Sequence, residues 1–159
     1  MSQNESLAVI LESSPQVTQL RRASRENDGF DFSLSIEPKG IPELARMLKD
    51  QGFFLEYLTA VDYGQTMELV YSFSKWIEPD RVQAVCPAWP MEAAPSICGV
   101  FPAANWQERE VFDMFGLEFK DHPDLKRLLL IQEEGLHPLR KDFVAGPQHS
   151  GDVVETEMV

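Results

Sequence analysis

Phe30, Phe32, Leu34 and Ile36 alternate with Asp31, Ser33, Ser35 and Glu37. That period of two predicts a half-buried strand. Gly40 and Pro42 then open a helix in which Ile41, Leu44, Ala45 and Leu48 make one apolar stripe, with the i, i+3, i+4, i+7 spacing of a helix packed on a core. Gly52 closes it. Three strand-like runs follow, at 53–61, 67–73 and 81–85. The loop Asp62-Tyr63-Gly64-Gln65 joins the first two as an antiparallel hairpin. Pro87, Pro90 and Pro95 turn the next stretch into an irregular or edge segment, and 96–101 adds a further short strand. Upstream, Ser6 caps a short helix that runs to Glu12 and is ended by Ser13-Ser14-Pro15. Arg21, Arg22 and Arg25 form a basic knot in a turn, read as a solvated loop, with contact to an acidic partner as the alternative.

Residues 102–116 read as the second strong helix. Asn105 and Glu108 have capping-box spacing, and Gly116 suits a left-handed stop. Val111, Phe112, Met114 and Phe115 fill an apolar arc, while Arg109, Glu110 and Asp113 share the opposite arc with Trp106. Arg109 and Asp113, at i and i+4, are placed to pair along the surface. Glu108 points into the apolar arc. A carboxylate there must cap, pair with a cation or take a raised pKa. A structural role is the preferred reading, with a proton-active acid as the alternative.

Beyond Gly116 the periodicity fades. Residues 117–143 read as an extended arm, and 144–159, with Gly146, Pro147 and Gly151, as a disordered tail. From Lys120 to Phe143 the arm carries Lys120, Lys126, Arg127, Arg140 and Lys141 against Asp121, Asp124, Glu133, Glu134 and Asp142, so that stretch is neutral. The rest of the chain holds the whole formal charge of −12. Arginines and prolines in a neutral stretch suit docking on another protein chain. The domain expectation is therefore an α+β unit over 1–116, with a mixed or antiparallel sheet and helices on one face, a docking arm over 117–143 and the tail.

The charge argues against nucleic acid and anionic lipid as direct partners. With 159 residues, 43 % apolar and 25 % charged, the chain is sized for one ordinary domain. It has no apolar run of membrane-spanning length and no signal-peptide pattern at its start, so a cytoplasmic setting is expected. Cys86 and Cys98 are the only cysteines. Neither lies in a CxxC pair or near a His at ligand spacing, so two small thiols in a reducing compartment are expected and no metal. His122 and His137 each precede a proline. Hydrogen-bonding turn residues are the preferred reading, and a metal or acid/base pair the alternative. No catalytic triad, phosphate loop or dinucleotide fingerprint is present.

Three ordered clusters carry a resemblance: Glu108-Arg109-Glu110-x-x-Asp113-Met114-Phe115-Gly116, then His122-Pro123-Asp124-Leu125-x-Arg127-x-Leu129, then His137 with Pro138-Leu139-Arg140-Lys141-Asp142-Phe143. Together they resemble the signature of the 30 kDa subunit family of proton-translocating NADH:quinone oxidoreductase, respiratory complex I. Tyr57-Leu58-Thr59-Ala60-Val61-Asp62-Tyr63 resembles the family's hairpin. The resemblance implies an α+β scaffold subunit of the peripheral arm, without catalytic residues, flavin, iron–sulfur cluster, metal or quinone site of its own. It further implies docking on the large quinone-site subunit at the cytoplasmic face of the membrane. FMN, iron–sulfur clusters and quinone would belong to partner subunits. The signature residues are the expected partner-binding set.

There are departures. Asp121 and Leu136 stand where glycine usually precedes each His-Pro, and Lys126 stands where Arg is common. Many relatives continue well past the equivalent of Phe143, so a shorter embrace of the partner is expected here. The alternatives are the equivalent subunit of an energy-converting hydrogenase or formate hydrogenlyase, a relative fed by ferredoxin or reduced deazaflavin, and a free-standing acidic adaptor.

Overall fold

A computed structural model describes residues 3–77, 80–130 and 136–144. The expected tail and its boundary at 144 lie largely outside these residues. The elements are α1 (Gln3–Glu12), β1 (Val17–Arg22), α2 (Arg25–Asp28), β2 (Phe32–Ile36), α3 (Ile41–Asp50), β3 (Phe54–Asp62), β4 (Met67–Ser74), β5 (Arg81–Ala88), β6 (Ala94–Pro95), α4 (Ala104–Phe115) and β7 (Phe119–Lys120).

The main sheet has the order β1-β2-β5-β4-β3. Its one parallel contact is β2 with β5; the others are antiparallel. Strand alternation sets its faces. Phe32, Leu34 and Ile36 of β2 and Val82, Ala84, Cys86 and Ala88 of β5 are buried, while the residues between them are half-buried. The buried set forms one cluster with Leu7 and Leu11 of α1, the α3 stripe, and Val111, Met114 and Phe115 of α4. The helices thus cover one face of the sheet. No helix among the described residues is long and apolar enough to cross a membrane.

The α3 stripe is buried as its spacing requires, with Ile41, Leu44, Ala45 and Leu48 inward. The β3–β4 hairpin is antiparallel. Four expectations need correction. The basic knot is not a turn: Arg21 and Arg22 end β1, an edge strand, and Arg25 starts α2. Only Val17 and Leu20 of β1 are half-buried, and a bulge between Val17 and Gln19 breaks the alternation, so no period-two signal existed to read. The first helix starts at Gln3 and takes in Ser6. Pro87 does not break β5, which sits at the centre of the sheet. Pairing to β2 stops at Val85, while pairing to β4 continues through Glu68↔Pro87, so proline stands where β5 has become an edge. Residues 96–101 are not a strand. Their backbone closes local turns, with Val100 and Phe101 N–H both donating to Ile97 C=O.

The short strand preceding those turns pairs with the arm. Ala94 and Pro95 lie parallel to Phe119 and Lys120. Directly after β7, Asp121 has φ +64°, the only non-glycine residue with positive φ among those described. It is the third residue of a turn closed by His122 N–H to Phe119 C=O at 3.4 Å, where glycine is the usual choice. Leu136, the other such departure, shows no positive φ. Asp tolerates the left-handed region better than most residues but still carries strain there. Asp121→Gly is therefore expected to stabilise the chain by about 0.5–1 kcal/mol once the extra unfolded-state entropy of glycine is counted. A urea midpoint unchanged or lowered by the substitution would contradict this.

Candidate functional site

Helix α4 begins at Ala104, preceded by Ala103, with no side-chain cap. Its first amides are met instead by preceding turns, Ala104 N–H to Phe101 C=O and Asn105 N–H to Pro102 C=O. The expected capping box is therefore absent, and Glu108 is free for another task. Its carboxylate is fully buried. Oε1 accepts Ile97 N–H at 2.8 Å and Oε2 accepts the Cys98 thiol at 3.3 Å. His122 Nε2 stands 3.9 Å from the same Oε2. Burial raises the Glu108 pKa above its ordinary 4.5, partly offset by bonds from Ser96, Ile97 and Cys98. Burial likewise pushes the Cys98 thiol up to about 11.

A carboxylate with a raised folded pKa is best tolerated when protonated. Its contribution is most favourable below the unfolded value and is lost as pH rises through the folded one. Glu108→Gln, which keeps the shape and the Ile97 acceptor, is thus expected to look better relative to the native chain at pH 8 than at pH 4. Urea unfolding of both chains at the two pH values checks this, and a stability difference independent of pH would count against it.

Arg109 and Asp113 do not pair with each other, nor do they face solvent. Arg109 is 8 % exposed and Asp113 0 %. Arg109 lies over the Trp106 ring and donates to the carbonyls of Lys126 (3.0 Å) and Arg127 (3.1 Å). Asp113 gathers the arm more tightly. Its Oδ2 accepts three successive amides, Leu128 at 3.0 Å, Leu129 at 2.8 Å and Leu130 at 2.9 Å. Its Oδ1 accepts Arg127 Nη1 at 2.8 Å, and Arg127 also donates to Leu136 C=O at 3.0 Å. Burial works against the Asp113 charge, but the three amides and the guanidinium outweigh it and hold the carboxyl below its ordinary value.

The remaining signature residues extend the same pattern. His122 Nδ1 accepts Asp124 N–H at 3.0 Å, so Nε2 carries the proton and donates to Asn105 C=O at 3.2 Å. His137 Nδ1 bonds to Asp113 C=O at 3.0 Å, and Leu139 N–H donates to Met114 C=O at 3.2 Å. Gly116 ends α4 with φ +75°, and a side chain there would meet the His137 ring at 2.7 Å. Further out, Asp62 at the hairpin accepts Gly64 N–H at 2.7 Å and Lys141 N–H at 2.8 Å, and these amides hold its carboxyl low. Arg140 forms a two-pronged pair with Asp142 at 2.8 and 2.7 Å.

The signature therefore divides into two sets. Glu108, Arg109, Asp113, Gly116, Arg127, His122 and His137 make contacts within this chain that gather its arm and turns onto α4, and Phe115 is buried in the core. Leu125 packs against the core edge. Glu110, Pro123, Asp124, Leu139, Lys141 and Asp142 face outward, with Pro138 and Arg140 part-exposed between them. Buried helix-to-arm bonding and an exposed Pro-Leu-Arg-Lys-Asp ridge are one design. In comparison with known proteins, residues 34–149 match the family described as the 30 kDa subunit of respiratory-chain NADH dehydrogenase.

This chain belongs to that family.

Among relatives of the 30 kDa subunit family, the corresponding subunit of NADH-quinone oxidoreductase from Rhodobacter capsulatus is 41 % identical over 120 residues, covering 71 % of this chain and 60 % of that protein. Its counterpart in Roseiflexus sp. is 36 % identical over 129 residues, covering 74 % and 72 %. The chain thus spans about 60 % of the length of the Rhodobacter relative. A solved structure of the membrane-bound sulfane sulfur reductase, an archaeal respiratory membrane complex, contains a chain of the same fold. It has a TM-score of 0.74 and 25 % identity, and the match covers 91 % of this chain and 86 % of that one.

Sequence spacing missed two things. Cys98 meets Glu108 through the turns that precede α4, His122 joins them only because the arm returns past α4, and Asp113 reaches three amides fifteen to seventeen positions away. Neither is a local pattern. The buried carboxylate inside an apolar arc was the one signal available for the first.

Proposed function

We propose that this chain is a scaffold subunit of the peripheral arm of an NADH:quinone oxidoreductase, holding the large quinone-site subunit in place while electrons pass from NADH to quinone and protons are translocated. In this role it supplies no catalytic residue and holds no flavin, iron–sulfur cluster, redox metal or quinone of its own. FMN, clusters and quinone sit on partner subunits, because redox chemistry needs a cofactor and a protein's share is to position it. Family membership with a signature arm pinned to α4 is the observation that supports the reading. A ridge fixed on its inner side presents Leu139, Lys141 and Asp142 outward in one preformed arrangement, which lowers the ordering cost of docking. The outward residues are the contact set toward the quinone-site subunit, and the assembly sits peripherally at the cytoplasmic face of the membrane.

A second reading has its own support in the fold shared with a chain of the sulfane sulfur reductase complex. Here the same scaffold would serve a related membrane complex, such as an energy-converting hydrogenase or a ferredoxin-fed enzyme. Tagging the chain in its native membranes, purifying in mild detergent and identifying partners by mass spectrometry separates the two. Flavin- and NADH-binding subunits together with a quinone-site subunit are the expected result. A large subunit retaining a full set of metal-binding cysteines would move the chain to the second reading, and recovery of the chain alone would defeat both.

A further inference from the structure

We propose that Cys98, Glu108 and His122 form a binding site for a thiophilic divalent cation, Zn2+ in the first instance, at the root of the arm. The inference does not rest on the functional reading above. Cys98 lies in the turns after β6, Glu108 in α4 and His122 in the turn after β7. The structure brings one donor atom from each, Sγ, a carboxylate oxygen and a ring nitrogen, within 4.8 Å of one another. Two of the three separations are given by contacts, Sγ to Oε2 at 3.3 Å and Nε2 to Oε2 at 3.9 Å. Tetrahedral zinc with bonds of about 2.0–2.3 Å needs donor separations of roughly 3.3–3.5 Å. The Sγ–Oε2 edge already fits, the Nε2–Oε2 edge has to close by about half an ångström, and the Sγ to ring-nitrogen edge, which lies within 4.8 Å, by at most about 1.3 Å.

Three features suit a cation rather than a chance meeting. The Glu108 and His122 side chains have no exposed surface, whereas Cys98 is part-exposed, which gives an entry path and room for water as fourth ligand. Glu108 is oriented by a backbone bond on Oε1, which leaves Oε2 to the metal in the manner of an outer-shell restraint. The charge also balances: a thiolate, a carboxylate and a neutral imidazole around Zn2+ leave a neutral buried centre. Binding releases the Cys98 thiol proton to solvent, together with any proton held by Glu108. In His122 the proton moves from Nε2 to Nδ1. There it ends the bond from the Asp124 amide and takes a water as its acceptor, and Asn105 C=O gives up its bond from Nε2.

The test titrates the purified full chain with Cd2+, followed by the ultraviolet absorption of the cadmium–thiolate bond, and with Zn2+ in competition against a chromophoric chelator. One equivalent is expected to bind at micromolar protein. Cys98→Ser is expected to abolish the cadmium–thiolate band and weaken Zn2+ at least about tenfold. Glu108→Gln should weaken Zn2+ with the band retained. Cys86→Ala should change neither, since that thiol is fully buried elsewhere in the core. Circular dichroism confirms folding of each variant, and Glu108→Gln carries the test if Cys98→Ser does not fold. No cadmium–thiolate band, a band surviving Cys98→Ser, or Zn2+ affinity indifferent to Glu108→Gln would overturn the proposal.

Discussion

Asp113→Ala is expected to destabilise the chain by about 3–5 kcal/mol, the range for removing one partner of a buried charged network. The native carboxylate satisfies three amides and the Arg127 guanidinium together. Truncation leaves those donors beneath the arm without an acceptor, and each unsatisfied donor carries its own desolvation cost. The loss is local as well as global. Amide exchange at Leu128, Leu129 and Leu130 should accelerate beyond what the fall in global stability explains. Asp113→Asn should sit between, since an amide oxygen accepts but carries no charge. Acid should act in the same direction. The folded carboxyl is held below its ordinary value, so its contribution is fully present above the unfolded carboxylate range and lost as pH falls through the folded value. An Asp113→Ala urea midpoint within about 1 kcal/mol of native would mean that other contacts hold the arm. If the proposed function holds, the same variant should fail in assembly before it fails in chemistry. Complex that assembled fully yet lost quinone reductase activity would demand a catalytic role for this chain.

Gly116→Ala is expected to cost about 2–3 kcal/mol, from two separate sources. The backbone at φ +75° penalises any β-carbon. The new methyl would also approach His137 Nε2 to 2.7 Å. An exposed ring would swing aside cheaply. This ring is fixed by its bond to Asp113 C=O, and its own carbonyl accepts Arg140 N–H at 3.1 Å, so movement disturbs the Pro-Leu-Arg-Lys-Asp ridge. His137→Ala in the same background separates the sources: the doubly substituted chain should recover the steric part and keep the backbone part. If Gly116→Ala costs no more in the presence of His137 than in its absence, the ring is not the obstacle.

Elements with a local period were legible in the sequence. β2, α3 and the hairpin follow from alternation, stripe and loop length, each a property of neighbouring residues. β1 was not legible, because an edge strand with two half-buried residues and a bulge has no buried face to alternate. On α4 the periodicity located Glu108 correctly inside the apolar arc but placed Arg109 and Asp113 on a solvent face. Helical angle says which residues share a side. It cannot say that a returning arm will cover that side and satisfy the charges on it. Asp121 is the reverse case: a mismatch against the family's usual glycine is explained in full by one backbone angle.

Strand β5 lies between β2 and β4, and the β2–β5 contact is the parallel one. Within the sheet, the β1–β2 ribbon and the β3–β4 hairpin therefore share no backbone hydrogen bonds until β5 joins them. A chain emerging from the ribosome cannot close its sheet before residue 88 is free, and Asp62 cannot take the Lys141 amide until later still. Long-range closure of this kind is slow and leaves strand edges open to other chains while it lasts. The time of greatest exposure to misassembly falls during synthesis, before the arm that finishes the domain has been made.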